Sequence, residues 1–158
     1  MQQPIPEVPP GPPGGEPPLS EAEFRDIYAR VARLTVEVVV QSAQGVLLTQ
    51  RQSGPCAGLW HIPGGTVRFG ESLAAAVKRV AATKLGLEIS VGRFLGYIEY
   101  PSHYLNGSDS PVGLAFLCRL EEDQPVPAAE WQRWFTALPD RMHSEQRDFL
   151  REHRLVPS

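Results

Sequence analysis

The sequence predicts an α/β (α+β) fold, a mixed β-sheet sandwiched between α-helices. Three observations carry this. Valine- and leucine-rich stretches at 34–41 and 46–51 have strand character and flank a turn signal. A strand at 59–62 runs into a Pro63-Gly64-Gly65 turn and then a helical stretch at about 72–85. A second helical pattern, at 144–153, closes the chain with Phe149 and Leu150 on its apolar side. A length of 158 residues fits one domain with a tail. A chain of that size buries most of its apolar surface without staples.

Residues 1–18 hold eight prolines and three glycines. Proline removes backbone donors and favours extended conformations, so this segment is predicted to be a disordered, solvated tail outside the core. Pro9 and Pro12 have the P-x-x-P spacing of an SH3 ligand, which arises readily in such a tail. Ser20 and Glu23 form an S-x-x-E capping box, which starts a helix predicted to run to about Ala32. The strand at 34–41 turns at Gln44-Gly45 and pairs with 46–51 as a hairpin. Residues 52–58 form a loop rich in Gly, Pro and Ser. The helix at about 72–85 ends at Gly86, which suits a left-handed C-terminal cap. Further strands are predicted at 87–100, 113–120 and 131–135.

Composition excludes several classes. A net charge of −3 provides no basic field for nucleic acid or an anionic membrane. The first residues lack the basic charge and apolar run of a signal peptide. The apolar stretch at 36–40 is broken by Glu37 and is far too short to span a bilayer. Cys56 and Cys118 show no C-x-x-C spacing and read as unpaired, reduced thiols rather than a disulfide, in keeping with a cytoplasmic location.

Function is concentrated in 59–87. Gly65, Glu71, Arg79, Gly86 and Leu87 stand at G-x5-E-x7-R and G-U spacing, after the strand and turn Leu59-Trp60-His61-Ile62-Pro63-Gly64. This resembles the box of the Nudix hydrolases, G-x5-E-x7-R-E-U-x-E-E-x-G-U, in which U is a bulky aliphatic residue. Val80, Thr83 and Lys84 replace its three later glutamates, and Ala81 is a weak U. The GDP-mannose mannosyl hydrolase branch, with a shortened box, is more similar still. An acidic helix start at 19–24, Glu37, Phe94-Leu95-Gly96-Tyr97 and Arg133-Trp134 also line up with it. The resemblance covers roughly 19–153, so 19–158 is expected to be a Nudix domain with the Nudix fold. It implies a small-molecule partner, a nucleotide or a nucleotide sugar such as GDP-mannose, and a homodimer. It implies Mg2+ (or Mn2+) as cofactor.

The same resemblance assigns residues. Glu71 and Arg79 belong to the catalytic frame, and Arg79 is expected to pair with Glu71 and lock the box loop. Arg51, Arg68 and Lys84 are candidates for diphosphate contact, with Arg68 in solvent as the alternative. Glu37 is a candidate for a sugar hydroxyl, with a carboxylate on the open sheet face as the alternative. Tyr100, like Tyr97, could stack a base or sugar or serve as strand packing. Gly64 would offer its carbonyl to a metal. The branch keeps a second metal ligand and its general base in a Gln-His pair, and aligning on Arg133-Trp134 places Ala128 and Ala129 there, which can do neither. His103 is the remaining candidate base, if its loop folds over the site rather than lying in solvent.

Lys84 decides the metal question. At 3.6 residues per turn, positions 73, 77, 80 and 84 share one stripe of the helix. Carboxylates at 80 and 84 would grip one divalent cation. The stripe here reads Leu73, Val77, Val80, Lys84. An ammonium has three donors and no acceptor, so it cannot coordinate a metal. Two like charges ~4 Å apart cost ~4 kcal/mol at an effective dielectric near ~20. Either the ammonium replaces the metal and meets phosphate, or it snorkels to water at a helix end. The expected cofactor is therefore Mg2+ (or Mn2+), or none. The expected function is binding of, or action on, a nucleoside diphosphate-linked substrate, with hydrolysis weak or absent. The alternatives are an active nucleotide-sugar hydrolase with an atypical metal site, and an interaction protein with a vestigial pocket.

Overall fold

β1 (Arg33–Ser42) is the spine of the molecule, and its residues 35–40 are all buried. Burial on both faces is the property of a strand with helices above and below. The computed structural model describes residues 19–156 except 55, 108, 123 and 128. The tail predicted at 1–18 lies outside the described residues.

The elements follow in chain order. α1 (Glu21–Tyr28) precedes β1, and β2 (Gly45–Gln50), β3 (Trp60–His61) and β4 (Gly64–Thr66) follow it. α2 (Leu73–Val80) continues as a single π-helical stretch at Ala81–Leu85. β5 (Ile89–Glu99), α3 (Pro101–Tyr104), β6 (Pro111–Leu120), β7 (Gln132–Phe135) and α4 (Ser144–Glu152) complete the chain. The sheet order is β3-β2-β1-β6-β5, with β4 paired to β1 and β7 to β2. β1 and β6 are parallel from Arg33↔Pro111 to Val40↔Cys118, and the other named pairs are antiparallel. The expected mixed sheet between helices is present.

The period-two alternation of β1 sorts its residues between two cores. Val36, Val38 and Val40 pack with Ala76, Val77 and Val80 of α2. Val39 faces the other way, with Tyr100, Phe149 and Leu150, toward α4. Thr35 and Glu37 share the side of Val39 by the same alternation, so a charged residue sits in the α4 row.

Several expectations are corrected. The first helix ends at Tyr28 rather than Ala32, because Ala29 already caps it and no residue of α1 is buried to extend it. Gly64 and Gly65, read as a turn, belong to β4, with Thr35↔Thr66, Val36↔Gly65 and Glu37↔Gly64 in register. Tertiary pairing makes a strand of a segment whose local propensity is for turns. α3 was not expected. Proline at its first position suits a helix start, but four residues carry no periodicity. Gly86 does cap its helix, at φ 67°, with Leu87 N–H donating to Ala81 carbonyl at 3.2 Å.

Candidate active site

A cavity of about 570 Å³ opens where β1, β3, β4, the end of the box helix, α3 and α4 converge. Its walls carry Arg33, Arg51 and Lys84 as cations, Glu37 and Asp109 as carboxylates, and His61, His103 and His143.

Glu37 is its most buried charged group, 5% exposed. Thr35 Oγ1 and Tyr100 hydroxyl both donate to Oε1, each at 3.0 Å. The room for the carboxylate comes from glycines on both flanking strands. A Cβ on Gly64 would fall 2.3 Å from Oε2, and one on Gly113 2.6 Å from Oε1. Burial pushes the Glu37 carboxyl up to about 7, against the two hydrogen bonds and the charges of Lys84 and Arg33. Glu37 is therefore not on an open face.

Tyr100 is also buried, which removes its ring as a stacking surface. Its hydroxyl is the middle of a chain. Ile62 N–H donates to Gln146 Oε1 at 2.7 Å, Gln146 Nε2 donates to Tyr100 at 3.0 Å, and Tyr100 donates to Glu37. Burial and the neighbouring Glu37 charge drive the phenol above its ordinary value, so it stays a donor. Tyr97 is 65% exposed and does not line the cavity.

Lys84 is an exposed residue, but it lines the cavity and its ammonium donates to the Gly64 carbonyl. Partial desolvation at the cavity wall lowers its pKa, and Glu37 opposes that shift. The alternative of a lysine snorkelling away from the site is thereby set aside. Gly65 is needed at this crossing, since a Cβ there would stand 2.8 Å from Val80 Cγ2 and 3.9 Å from Lys84 Nζ.

Glu71 and Arg79 form a two-pronged pair, with Nε to Oε2 at 2.7 Å and Nη2 to Oε1 at 2.8 Å. Arg79 Nη2 also donates to Thr66 carbonyl at 2.9 Å, and Arg68 N–H donates to Glu71 at 3.1 Å. The Arg79 hydrogen bond holds the Glu71 carboxyl below its ordinary value. Both residues lie behind the cavity wall and lock the box loop, as expected of that pair. Arg68 does not line the cavity either, whereas Arg51 does.

His103 is not a surface residue. Its Nδ1 stands 3.1 Å from Asp109 Oδ1 and its Nε2 3.0 Å from His143 Nε2. Asp109 in turn accepts from Arg33 Nε and Nη2 at 3.0 and 2.6 Å, and Arg33 Nη1 donates to Thr66 Oγ1 at 2.9 Å. Burial would raise Asp109, but the hydrogen bonds from Arg33 and His103 outweigh it and keep its carboxyl low. His61 lies within the strand of the box motif, whereas Arg33, Asp109, His143 and Gln146 belong to no motif. Their only sequence signal is residue type, because they meet from distant parts of the chain. Ala129 lies in a bridge with Gln132, and Ala128 is outside the described residues. Arg133 packs over the Trp60 ring at 5.6 Å, and Trp134 packs against the α2 core.

A family model for the NUDIX domain matches residues 31–153. The chain belongs to the Nudix family. This Nudix domain is 35% identical over 109 residues to the low-salt glycan biosynthesis protein Agl8 of Haloferax volcanii, spanning 66% of this chain and 70% of that protein. It is similar in fold to the MutT protein of Methanosarcina mazei Go1, with TM-score 0.65, 20% identity and coverage of 78% of this chain and 93% of that one. The MutT Nudix hydrolase of Burkholderia pseudomallei matches with TM-score 0.60 and 26% identity, over 77% of this chain and 98% of that one.

Nudix proteins generally use divalent metals. The donors of this Nudix domain do not fit one. The Gly64 carbonyl is taken by an ammonium, and Glu71 is committed to Arg79. Among the described residues no three His, Cys, Asp or Glu side chains cluster as a metal site. Both cysteines are free, Cys56 exposed and Cys118 buried. Among the described residues no helix is long and apolar enough to cross a membrane.

Proposed function

We propose that this protein binds a nucleoside diphosphate-linked ligand, of the nucleotide-sugar class, and hydrolyses it weakly or not at all. The observation that carries this reading is the Lys84 ammonium on the Gly64 carbonyl, a fixed positive charge where the Nudix frame places a cation. Arg51 stands in the same cavity and supplies a second, fork-shaped partner for phosphate. A volume near 570 Å³ is that of a small-molecule site. Glu37, held by Thr35 and Tyr100, supplies an acceptor for sugar hydroxyls. The glycan-biosynthesis name of Agl8 favours a sugar-linked ligand over a bare nucleotide.

Calorimetric titration with GDP and GDP-mannose in EDTA tests the reading. Binding without divalent cation is expected, and Lys84→Ala should weaken it by about 10- to 100-fold, the worth of a charged hydrogen bond. No heat in EDTA, or equal affinity in Lys84→Ala, would sink the idea that lysine stands in for the metal.

A further inference from the structure

One wall of the cavity carries a row of ionisable groups that is one proton short. Asp109 Oδ1 lies 3.1 Å from His103 Nδ1, His103 Nε2 lies 3.0 Å from His143 Nε2, and His143 Nδ1 lies 3.2 Å from Glu145 Oε2. Arg33 fixes one end by donating to Asp109 through Nε and Nη2. The Ser102 backbone N–H fixes the other by donating to Glu145 Oε1 at 2.9 Å. The Tyr100 ring packs against both imidazoles, with centroids at 5.3 and 5.2 Å.

Three contacts in a row need three protons. Ionised carboxylates only accept, and a neutral imidazole brings one proton. Two imidazoles therefore leave one contact unfilled. Its trace is His143 Nδ1, a buried nitrogen that makes no hydrogen bond among the described residues although a carboxylate faces it. Burial holds the His143 imidazole below its ordinary range, so the vacancy stays open at neutral pH in the free protein. Glu145 keeps its side chain 19% exposed and gives solvent protons a way in.

The surrounding charges decide when the vacancy fills. Asp109, Glu145 and ionised Glu37 favour the missing proton, and the Tyr100 phenol stays neutral. Arg51 and His61 oppose it, as do Arg33 and Lys84 in the same cavity. An anionic ligand seated at Lys84 and Arg51 offsets those cations. Both imidazoles line the cavity. In about 570 Å³ the ligand lies within about one screening length of them, ~8 Å at physiological salt.

We propose that the His103–His143 pair senses the ligand through a proton: it takes up one proton from solvent when an anionic, diphosphate-linked ligand fills the cavity, and affinity therefore rises as pH falls. This rests on the cavity taking such a ligand. The ring nitrogens are committed within the row, so the pair acts on the ligand by charge and not by contact. Linkage makes the effect reciprocal, because the ligand raises the affinity for the proton by the same factor as the proton raises that for the ligand.

The full chain in EDTA is titrated calorimetrically with GDP-mannose, whose diphosphate does not itself titrate between about pH 5 and pH 9. Each titration is run in two buffers of different ionisation enthalpy. Near neutrality the heats should differ between buffers and give an uptake of up to one proton per ligand. Affinity should fall about fivefold or more from the acid to the alkaline end. On adding GDP-mannose at constant pH, the His103 and His143 imidazole NMR signals should shift together toward the protonated form. In His103→Gln the glutamine supplies an amide donor to His143, and in His143→Asn the asparagine supplies one to Glu145. Neither variant keeps the vacancy, so each should give equal heats in both buffers and an affinity nearly independent of pH. The two substitutions disturb packing differently, so a fold defect in one leaves the other as the test. A merely structural role would lower melting temperature and leave the proton count as it was, which would overturn the inference. So would buffer-dependent heat that persists in both variants, since another group, Glu37 included, would then carry the proton. Binding with equal heats and unmoved imidazole signals in the unmodified chain overturns the inference and leaves the binding reading standing. Absence of binding at every pH overturns both.

Discussion

Glu37 and Lys84 are each unfavourable alone in this protein and intelligible together. A buried carboxyl at about 7 is harder to ionise than the ordinary group at 4.5. The folded state therefore holds its proton more tightly than the unfolded state does. Stability from this group is fully present below pH 4.5 and is lost as pH rises through 7. Glu37→Gln removes that dependence. It should gain stability relative to the unmodified chain on going from pH 5 to pH 8, by up to about 3 kcal/mol, read from urea unfolding at both pH values. A pH-independent difference would mean that Glu37 is not held near neutrality. At the partner position, Lys84→Glu is expected to abolish GDP binding in EDTA and to recover part of it with Mg2+, read by calorimetry. Lys84 could be picked out from the sequence because one helix position carries the wrong charge for a metal site. The burial of Glu37 could not, because its niche is made by Gly64 and Gly113, which are adjacent only in the sheet.

The box helix shows what elements add. Ser72 caps α2 by accepting from Ala75 N–H at 3.1 Å. Ser72→Ala should cost about 1 kcal/mol, a fall of roughly 3 °C in melting temperature for a domain of this size. The crossing of β4 over α2 is tighter. Gly65→Ala would press a methyl onto Val80 and should cost about 1–3 kcal/mol. The double variant Gly65→Ala/Val80→Ala should lose less than the sum of the two singles, measured by the same unfolding titration. Additive losses would show that the two side chains do not compete for one space. The helix itself and its Gly86 stop were readable from periodicity and cap chemistry. Its π-helical end at Ala81–Leu85 was not, because widening by one residue leaves no mark in the apolar pattern.

At the scale of the molecule, the sheet between α2 and α4 was readable because strand and helix periods repeat over long stretches. The cavity was only partly readable. Lys84 and Gly64 belong to one motif, whereas Arg33, Asp109, His143 and Gln146 are brought together by the β1–β6 pairing and the packing of α4. A ligand that ties these elements should stabilise the whole domain. GDP at one hundred times its dissociation constant adds about 2.7 kcal/mol and should raise the melting temperature by several degrees in EDTA. A rise seen only with Mg2+ would contradict the lysine-for-metal arrangement.

α1 stands apart from this cohesion. It buries none of its residues, and it is closed by its own capping box. Phe24 nevertheless forms part of the cavity wall and lies beneath the Arg33 guanidinium, 5.7 Å from ring centroid to Cζ. With no fully buried side chain anchoring it, α1 can open without disturbing the core of β1. Its amide protons should therefore exchange with deuterium orders of magnitude faster than those of Val36 or Val38. A nucleotide seated against Phe24 should slow them selectively, so isotope exchange along this one helix would report occupancy of the cavity even where no chemistry follows.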